Sequence, residues 1–321
     1  MTGARLLVTG VGDRLGRLVA ERMATRSDVE TVIGVTGADA PTVAGVLVVG
    51  LTSDYDGIAD LLREQAIDTV IHADRPWARP RVDRDATTQH VIATMRLAAA
   101  AARRTTTVRR LVMASSTRVY PVSSRAPRLH PESEHLQPRR GSLATLLVEA
   151  EGYVRGLATS NPNLSASILR LADLAGCNAR DPLVALLAGP FIPAVWGFDP
   201  SVQLLHVDDA VSALGHAADH DLAGIYNVGA DDHVRWRRAA RLIRKPLLEL
   251  PPAFSTPLAG LLGSLYRVDD GVDLLNVLRF GRVAATDAFT RSGFRTAWTT
   301  LRCMQESARP GHHRTSSDEL P

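Results

Sequence analysis

The sequence predicts an α/β fold, a doubly wound parallel sheet with a smaller, mainly helical C-terminal lobe. Three observations predict it. The chain opens on a short apolar run, Leu6-Leu7-Val8-Thr9, which Gly10 and Gly12 cut off before helically spaced Leu15, Leu18, Val19 and Met23. Short β-favouring runs then alternate with amphipathic stretches as far as Val228, the pattern of parallel strands joined by right-handed crossovers. After Gly229 the pattern changes to helices with short links.

The first corner, Arg5 to Gly16, organises the rest. Glycines after a strand let a backbone approach a pyrophosphate, and the unpaired amides of the next helix hold its charge; this is the phosphate-binding corner of a dinucleotide-binding fold. Strand two is expected at Thr31 to Val35. Strand three, Val43 to Val49, is a nearly continuous apolar run that suits a strand covered on both faces. A helix over 54–65 turns Ile58, Leu61 and Leu62 inward, and strand four, Thr69 to Ile71, leads to His72-Ala73-Asp74. A proline-rich loop, Arg75 to Arg84, precedes a long helix over about 85–104, and strand five is Arg110 to Ala114, ending in Ser115-Ser116. After a polar loop over 121–141 come a helix at about 142–159 and strand six, Ser165 to Leu171. Beyond them lie a short helix near 183–187, the strand Leu204 to His206, a helix over 207–218 and a seventh strand, Gly224 to Val228.

Residues 1–173 and 204–230 are therefore assigned to the dinucleotide-binding Rossmann domain and 174–203 and 231–305 to the substrate-type lobe; the polar segment 306–321 is expected to be disordered. The 321 residues are 45% hydrophobic and 22% charged, as in ordinary globular proteins. Two cysteines, Cys177 and Cys303, cannot build a disulfide framework or a cysteine-rich metal site. No run reaches the ~18 apolar residues of a membrane span. With no room expected for a signal peptide before strand one, the chain is read as cytoplasmic. A formal charge of +3 argues against a nucleic-acid partner.

Six motifs in order resemble the extended short-chain dehydrogenase/reductase family, in its branch of NAD-dependent nucleotide-sugar epimerases and dehydratases. They are Val8-Thr9-Gly10, Asp68 to Ala73, Ser115 to Tyr120, Arg170 to Gly176 (similar to the family's Arg-x-x-Asn-x-x-Gly, with Asp173 at the Asn), Leu205 to Ala210 and Ile225 to Gly229. The resemblance implies a Rossmann sheet with a small substrate lobe, a nucleotide or nucleotide-sugar ligand, and a homodimer through the helices at about 85–104 and 142–159. It also implies a tyrosine followed four residues later by a lysine. That phenol is the acid/base, and the lysine lowers its pKa and binds the nicotinamide ribose. An unperturbed phenol near pKa ~10 is a poor base at neutral pH, so this chemistry needs the cation. Matching Glu151 to the family's helix glutamate puts Leu143 and Leu147 at the two positions. Lys245 is the only lysine in the chain, and no tyrosine has a lysine four residues on. Tyr153 lies about 15 Å further along the same helix and on a different face. Ser116 keeps the position of the catalytic serine; it is equally read as a hydroxyl capping the strand end.

The cofactor positions implied by the resemblance are Gly10, Gly12, Asp13, Arg14, Leu15, Gly16, Thr36, Leu51, His72 and Ala73. Several depart from the family pattern. Asp13 stands where the middle glycine belongs, Thr36 replaces the acid that binds the adenosine ribose, Leu51 replaces an adenine-contacting Asp, and His90 replaces an Asn. NAD or NADP is therefore expected to bind weakly. No metal site is expected, although His206-Val207-Asp208-Asp209 has the residue types. His130 and His135 are candidates for a replacement base. An Arg-rich helix over 233–245 around Trp236 lies close to an apolar stretch, Phe254 to Tyr266, a pairing that marks either an anionic membrane surface or partner groove, or a solvated face on one helix and a lobe-packing face on the other. Three functions follow: a ligand-sensing or regulatory binding protein without the usual catalysis, an active NAD-dependent epimerase, dehydratase or reductase with an atypical base, or an interaction scaffold using the Arg-rich lobe.

Overall fold

A computed structural model describes residues 3–36, 41–50, 55–75, 77, 84–176, 181–251 and 271–309. In chain order these residues form β1 (Ala4–Thr9), α1 (Arg14–Ala24), β2 (Val29–Thr36), β3 (Leu47–Gly50), α2 (Tyr55–Glu64), β4 (Thr69–His72), α3 (Arg84–Ala101) and β5 (Arg110–Ser116). A 3-10 turn (Thr117–Val119), α4 (Leu143–Ser160), β6 (Ser165–Leu171), β7 (Asp173–Ala175), α5 (Pro182–Ala188), β8 (Ile192–Val195), β9 (Ser201–Val202) and β10 (Leu204–His206) follow. The chain continues through α6 (Val207–Asp219), β11 (Gly224–Val228), β12 (Val234–Arg235), α7 (Trp236–Leu242) and β13 (Leu247–Leu250). Its last described helices are α8 (Gly271–Phe280), α9 (Asp287–Arg291) and α10 (Thr300–Ser307).

The central sheet runs β3-β2-β1-β4-β5-β6-β11, with every described pairing parallel. Alternation along each strand sorts side chains to opposite faces. Leu6 and Val8 join a core with Leu15 and Val19 of α1 and Val211 and Leu214 of α6. Leu7 joins the opposite core, with Leu62 of α2, Leu97 of α3 and Val154 of α4. The strand order reverses between β1 and β4, so a crevice opens at the carboxyl ends of these two strands, where doubly wound sheets bind ligands. The lobe has its own core, in which Leu187, Val195, Trp236, Leu278 and Met304 are buried.

Four expectations need correction. Strand three is shorter than 43–49, because Gly45 turns at φ +73° and pairing with β2 begins at Leu47. It is also an edge strand, with Leu47 60% exposed, rather than a strand covered on both faces. The Arg-rich helix does not span 233–245. Val234 and Arg235 pair antiparallel with β9, so the helix starts at Trp236. It ends at Leu242, before Lys245 turns back to donate to the carbonyls of Leu187 and Gly189 past the end of α5, where a cation suits the helix dipole. The links between the lobe helices include the strand pairs β8–β13 and β9–β12. Finally, residues 306 and 307 belong to α10, with Glu306 accepting from His206 Nε2 at 2.9 Å. Residues 310–321, Leu51, Cys177 and Phe254 to Tyr266 lie outside the described residues. Among the described residues no helix is long and apolar enough to cross a membrane.

Candidate functional site

The corner after β1 is built by close backbone approach. Gly10 adopts φ +74°, and a Cβ there would lie 2.7 Å from the Asp74 backbone. A Cβ on Gly16 would collide with the Gly10 carbonyl, so α1 packs directly against the turn. The first intrahelical bond runs from Arg17 N–H to the Asp13 carbonyl at 3.0 Å. The amides of Arg14, Leu15 and Gly16 are thus left without intrahelical partners at the positive end of the dipole. The Asp13 side chain makes no capping bond to these amides. The Arg14 side chain is exposed, Leu15 belongs to the core, and Gly12 lies beside Thr36, whose Oγ1 would be 3.1 Å from a Cβ added at Gly12. This cradle fits a diphosphate.

Behind the corner, His72 and Ala73 are buried. Thr94 Oγ1 donates to the His90 carbonyl at 2.8 Å, so it accepts from His72 Nε2 at 2.8 Å, and His72 Nδ1 then accepts from Thr9 Oγ1 at 2.6 Å. Burial, with the His90 ring beside it, holds the His72 pKa down to about 3, so the ring is neutral. His90 stacks on His72 with ring centroids 5.2 Å apart and places Nδ1 3.2 Å from Asp74 Oδ2. Trp77 meets the edge of His90 at 5.3 Å.

The far side of the crevice is where the resemblance puts the dyad. Leu147 is 1% exposed and packs in an apolar cluster with Trp77, Val119, Tyr120 and Ala284; Leu143 and Val148 lie against the same cluster. Ser116 is buried, and its Oγ accepts from Arg118 N–H at 3.2 Å, capping the 3-10 turn. Tyr120 donates its phenol proton to Asn227 Oδ1 at 2.7 Å and accepts from Arg170 Nη1 at 2.9 Å. Burial outweighs the Arg170 cation and raises the Tyr120 pKa. Arg170 is itself paired with Glu151 at 2.7 Å, and Glu151 also accepts from Ser115 Oγ at 2.6 Å. Tyr153 is exposed on α4.

A cleft of about 280 Å³ opens beside these residues, lined by Arg118, Tyr120, Leu143, Asp273 and Asn276 among others. His130 does not reach it. It is buried with Nδ1 2.6 Å from Glu134 Oε2, and its ring stacks on Tyr120 at 4.8 Å. His135 is exposed and does not line the cleft. Neither histidine is therefore placed as a replacement base. Below the cleft lies a charged cluster that sequence reasoning missed. Arg282 pairs with Asp273 at 2.7 Å and Arg118 approaches the same carboxylate at 3.9 Å. Asp173 lies in this group, where burial and nearby Asp181 raise its pKa to about 6. Asp181 is held by Arg75 at 2.9 Å and by Leu174 N–H at 2.6 Å. The one signal in the sequence was Asp173 itself, an acid where the resemblance expects Asn. Trp77 was missed too, because a loop tryptophan carries no pattern.

His206, Asp208 and Asp209 serve the fold. His206 Nδ1 accepts from Asp208 N–H at 3.2 Å, and Asp209 accepts from the amides of Ala297 and Trp298 at 2.9 and 3.0 Å.

A glycine corner beneath the strand-order reversal of a seven-stranded parallel sheet defines a Rossmann-type protein. Residues 6–229 match the model of the NAD dependent epimerase/dehydratase family, and the chain belongs to that family. Uncharacterized proteins of Mycobacterium bovis and Mycobacterium tuberculosis are 32% identical over 316 residues, spanning 94% of this chain and 82% of theirs. Among solved structures, the UDP-Glc/GlcNAc 4-epimerase of Campylobacter jejuni shares the fold at TM-score 0.71 and 13% identity, covering 95% of this chain and 98% of that one. The UDP-glucose 4-epimerase of Thermotoga maritima does so at 0.70 and 17%, covering 95% and 97%. The UDP-glucuronic acid 4-epimerase of Bacillus cereus, solved in complex with NAD, does so at 0.67 and 14%, covering 94% and 96%. The cradle of this chain fits the diphosphate of NAD; the apolar cluster around Leu147, where the resemblance puts the ribose-binding lysine, offers a nicotinamide ribose no such cation.

Proposed function

We propose that this protein is a nucleotide-binding member of the epimerase/dehydratase family that works without the usual tyrosine/lysine chemistry, as a ligand-sensing or regulatory binding protein. The observation that carries this reading is Leu147, buried in one apolar cluster with Trp77, Val119 and Tyr120 at the position where the resemblance puts the family's lysine. Three buried arginines around the crevice are engaged elsewhere. Arg170 is committed to Glu151, Arg75 to Asp181, and Arg118 approaches Asp273. The one described tyrosine lining the cleft, Tyr120, has its hydroxyl engaged and its pKa raised, which makes it a poorer base than a free phenol. The glycine cradle supports retained binding of a nucleotide diphosphate.

The test is turnover. The purified full chain is incubated with NAD⁺ and, in turn, UDP-glucose, UDP-glucuronic acid and UDP-N-acetylglucosamine, and the sugars are separated chromatographically. The expected result is no 4-epimer above the enzyme-free control. Accumulation of a 4-epimer would overturn the reading.

A further inference from the structure

We propose that Trp77 closes the nicotinamide half of the cofactor site, so that the ligand of this chain is a nucleoside diphosphate and not a dinucleotide. This rests on the nucleotide-binding reading above and narrows its ligand class. A dinucleotide in this fold crosses the carboxyl ends of the strands, from the corner after β1 towards α4. Trp77 stands on that path. It follows β4 by five positions, is 1% exposed, and shares one buried apolar cluster with Leu147 of α4, Val119 and Tyr120 after β5, and Ala284 of the lobe. Its ring meets His90 edge-on at 5.3 Å, and the Arg75 guanidinium lies 5.8 Å from its centroid. Arg75 is in turn anchored by Asp181 in a pair that is almost fully buried. The indole therefore joins β4, α4 and the lobe where the ribose of a nicotinamide would need open space and a polar partner.

The Trp77 indole Nε1 is buried and has no hydrogen-bond partner among the described residues, so packing against them, not hydrogen bonding, holds the ring. Exclusion is then a matter of volume, and shortening the side chain reopens the path. The corner itself is untouched by this closure. Gly10, Gly16 and the amides of Arg14, Leu15 and Gly16 keep the diphosphate cradle on the other side of Asp74.

The experiment is calorimetric titration of the full chain and of Trp77→Ala with ADP, ADP-ribose and NAD⁺. Wild type is expected to bind ADP at least as tightly as NAD⁺, and Trp77→Ala to tighten NAD⁺ relative to ADP by tenfold or more. Trp77→Leu, which retains an apolar side chain in the cluster, is the second variant should Trp77→Ala not fold. It is expected to shift the ratio in the same direction by a smaller factor. The ADP-ribose arm reports whether exclusion begins at the second ribose or at the nicotinamide ring. Tenfold tighter binding of NAD⁺ than ADP by wild type would overturn this proposal and leave the nucleotide-binding reading standing. An unchanged ratio in both variants would also overturn it. No binding of any of the three at millimolar concentration would remove both.

Discussion

His72 is enclosed by two threonine hydroxyls and a second imidazole, and burial holds its pKa down to about 3. The unfolded chain takes up a proton at this residue below about pH 6.5 and the folded chain does not. The stability this adds is present above about 6.5 and is lost as pH falls towards about 3, on the order of 5 kcal/mol in full. Asp173 has the opposite sign. Its folded pKa of about 6 lies above the unfolded 3.8, so its contribution is complete below 3.8 and is lost as pH rises through about 6, on the order of 3 kcal/mol. The two slopes oppose each other between about pH 4 and 6. Asp173→Asn is expected to match wild type at pH 4 and to melt at a higher temperature at pH 7.5, measured by calorimetry across that range. An equal Tm at pH 7.5 would show that Arg118 and Arg282 already compensate the carboxylate. Asp173 was visible in the sequence as an acid in place of Asn, but its titration was not, because Asp181, Arg282 and Arg118 meet it only in the fold.

At the scale of elements, the corner from β1 to α1 shows how a local pattern becomes a binding surface. Gly16 is needed because any Cβ collides with the Gly10 carbonyl, and Gly10 because it takes a left-handed φ against the Asp74 backbone. Gly16→Ala is expected to cost about 2 kcal/mol or more and to abolish ADP binding, read by thermal melting and by titration. Retained affinity would move the nucleotide away from this corner. The corner was legible in the sequence because strand, glycine and amphipathic helix are contiguous. The strand at the sheet edge was not. A Val-rich run reads the same whether two neighbours cover it or one, and it was Gly45 and pairing with β2 alone that made β3 short and half-exposed. The arginines of α7 were legible as a basic cluster. That Trp236 turns inward, donating to the Pro193 carbonyl at 2.8 Å, was not.

At the scale of the molecule, the last described segment ties the lobe back to the sheet. Asp209, at the start of α6, accepts two amides from 297–298. Trp298 stacks on His206 at 3.8 Å and has the Arg302 guanidinium over its ring, 3.8 Å from the centroid, while Phe289 fills the core beside α1 and α6. Asp209→Ala leaves two amides near a buried site without acceptors and is expected to cost about 2–4 kcal/mol. It should also make the segment after Phe289 more sensitive to limited proteolysis. Asp208→Ala, an exposed neighbour, should change the melting temperature far less. Equal effects of the two substitutions would mean that the two amides find other acceptors.

By itself the sequence determined the alternation of strands and helices, the glycine corner, the order of the six motifs and the absence of any tyrosine with a lysine four residues on. These are readable because periodicity, turn chemistry and motif spacing act between near neighbours in the chain. Only the tertiary structure decided that Trp77 and Leu147 share one buried cluster, that Ser116 spends its hydroxyl on a cap, that His130 lies under Tyr120, and that Asp173 sits among Arg118, Asp273 and Arg282. Burial and charge pairing depend on groups brought together from distant parts of the chain, and a sheet that reverses its strand order at β1 and β4 gathers those parts at one crevice.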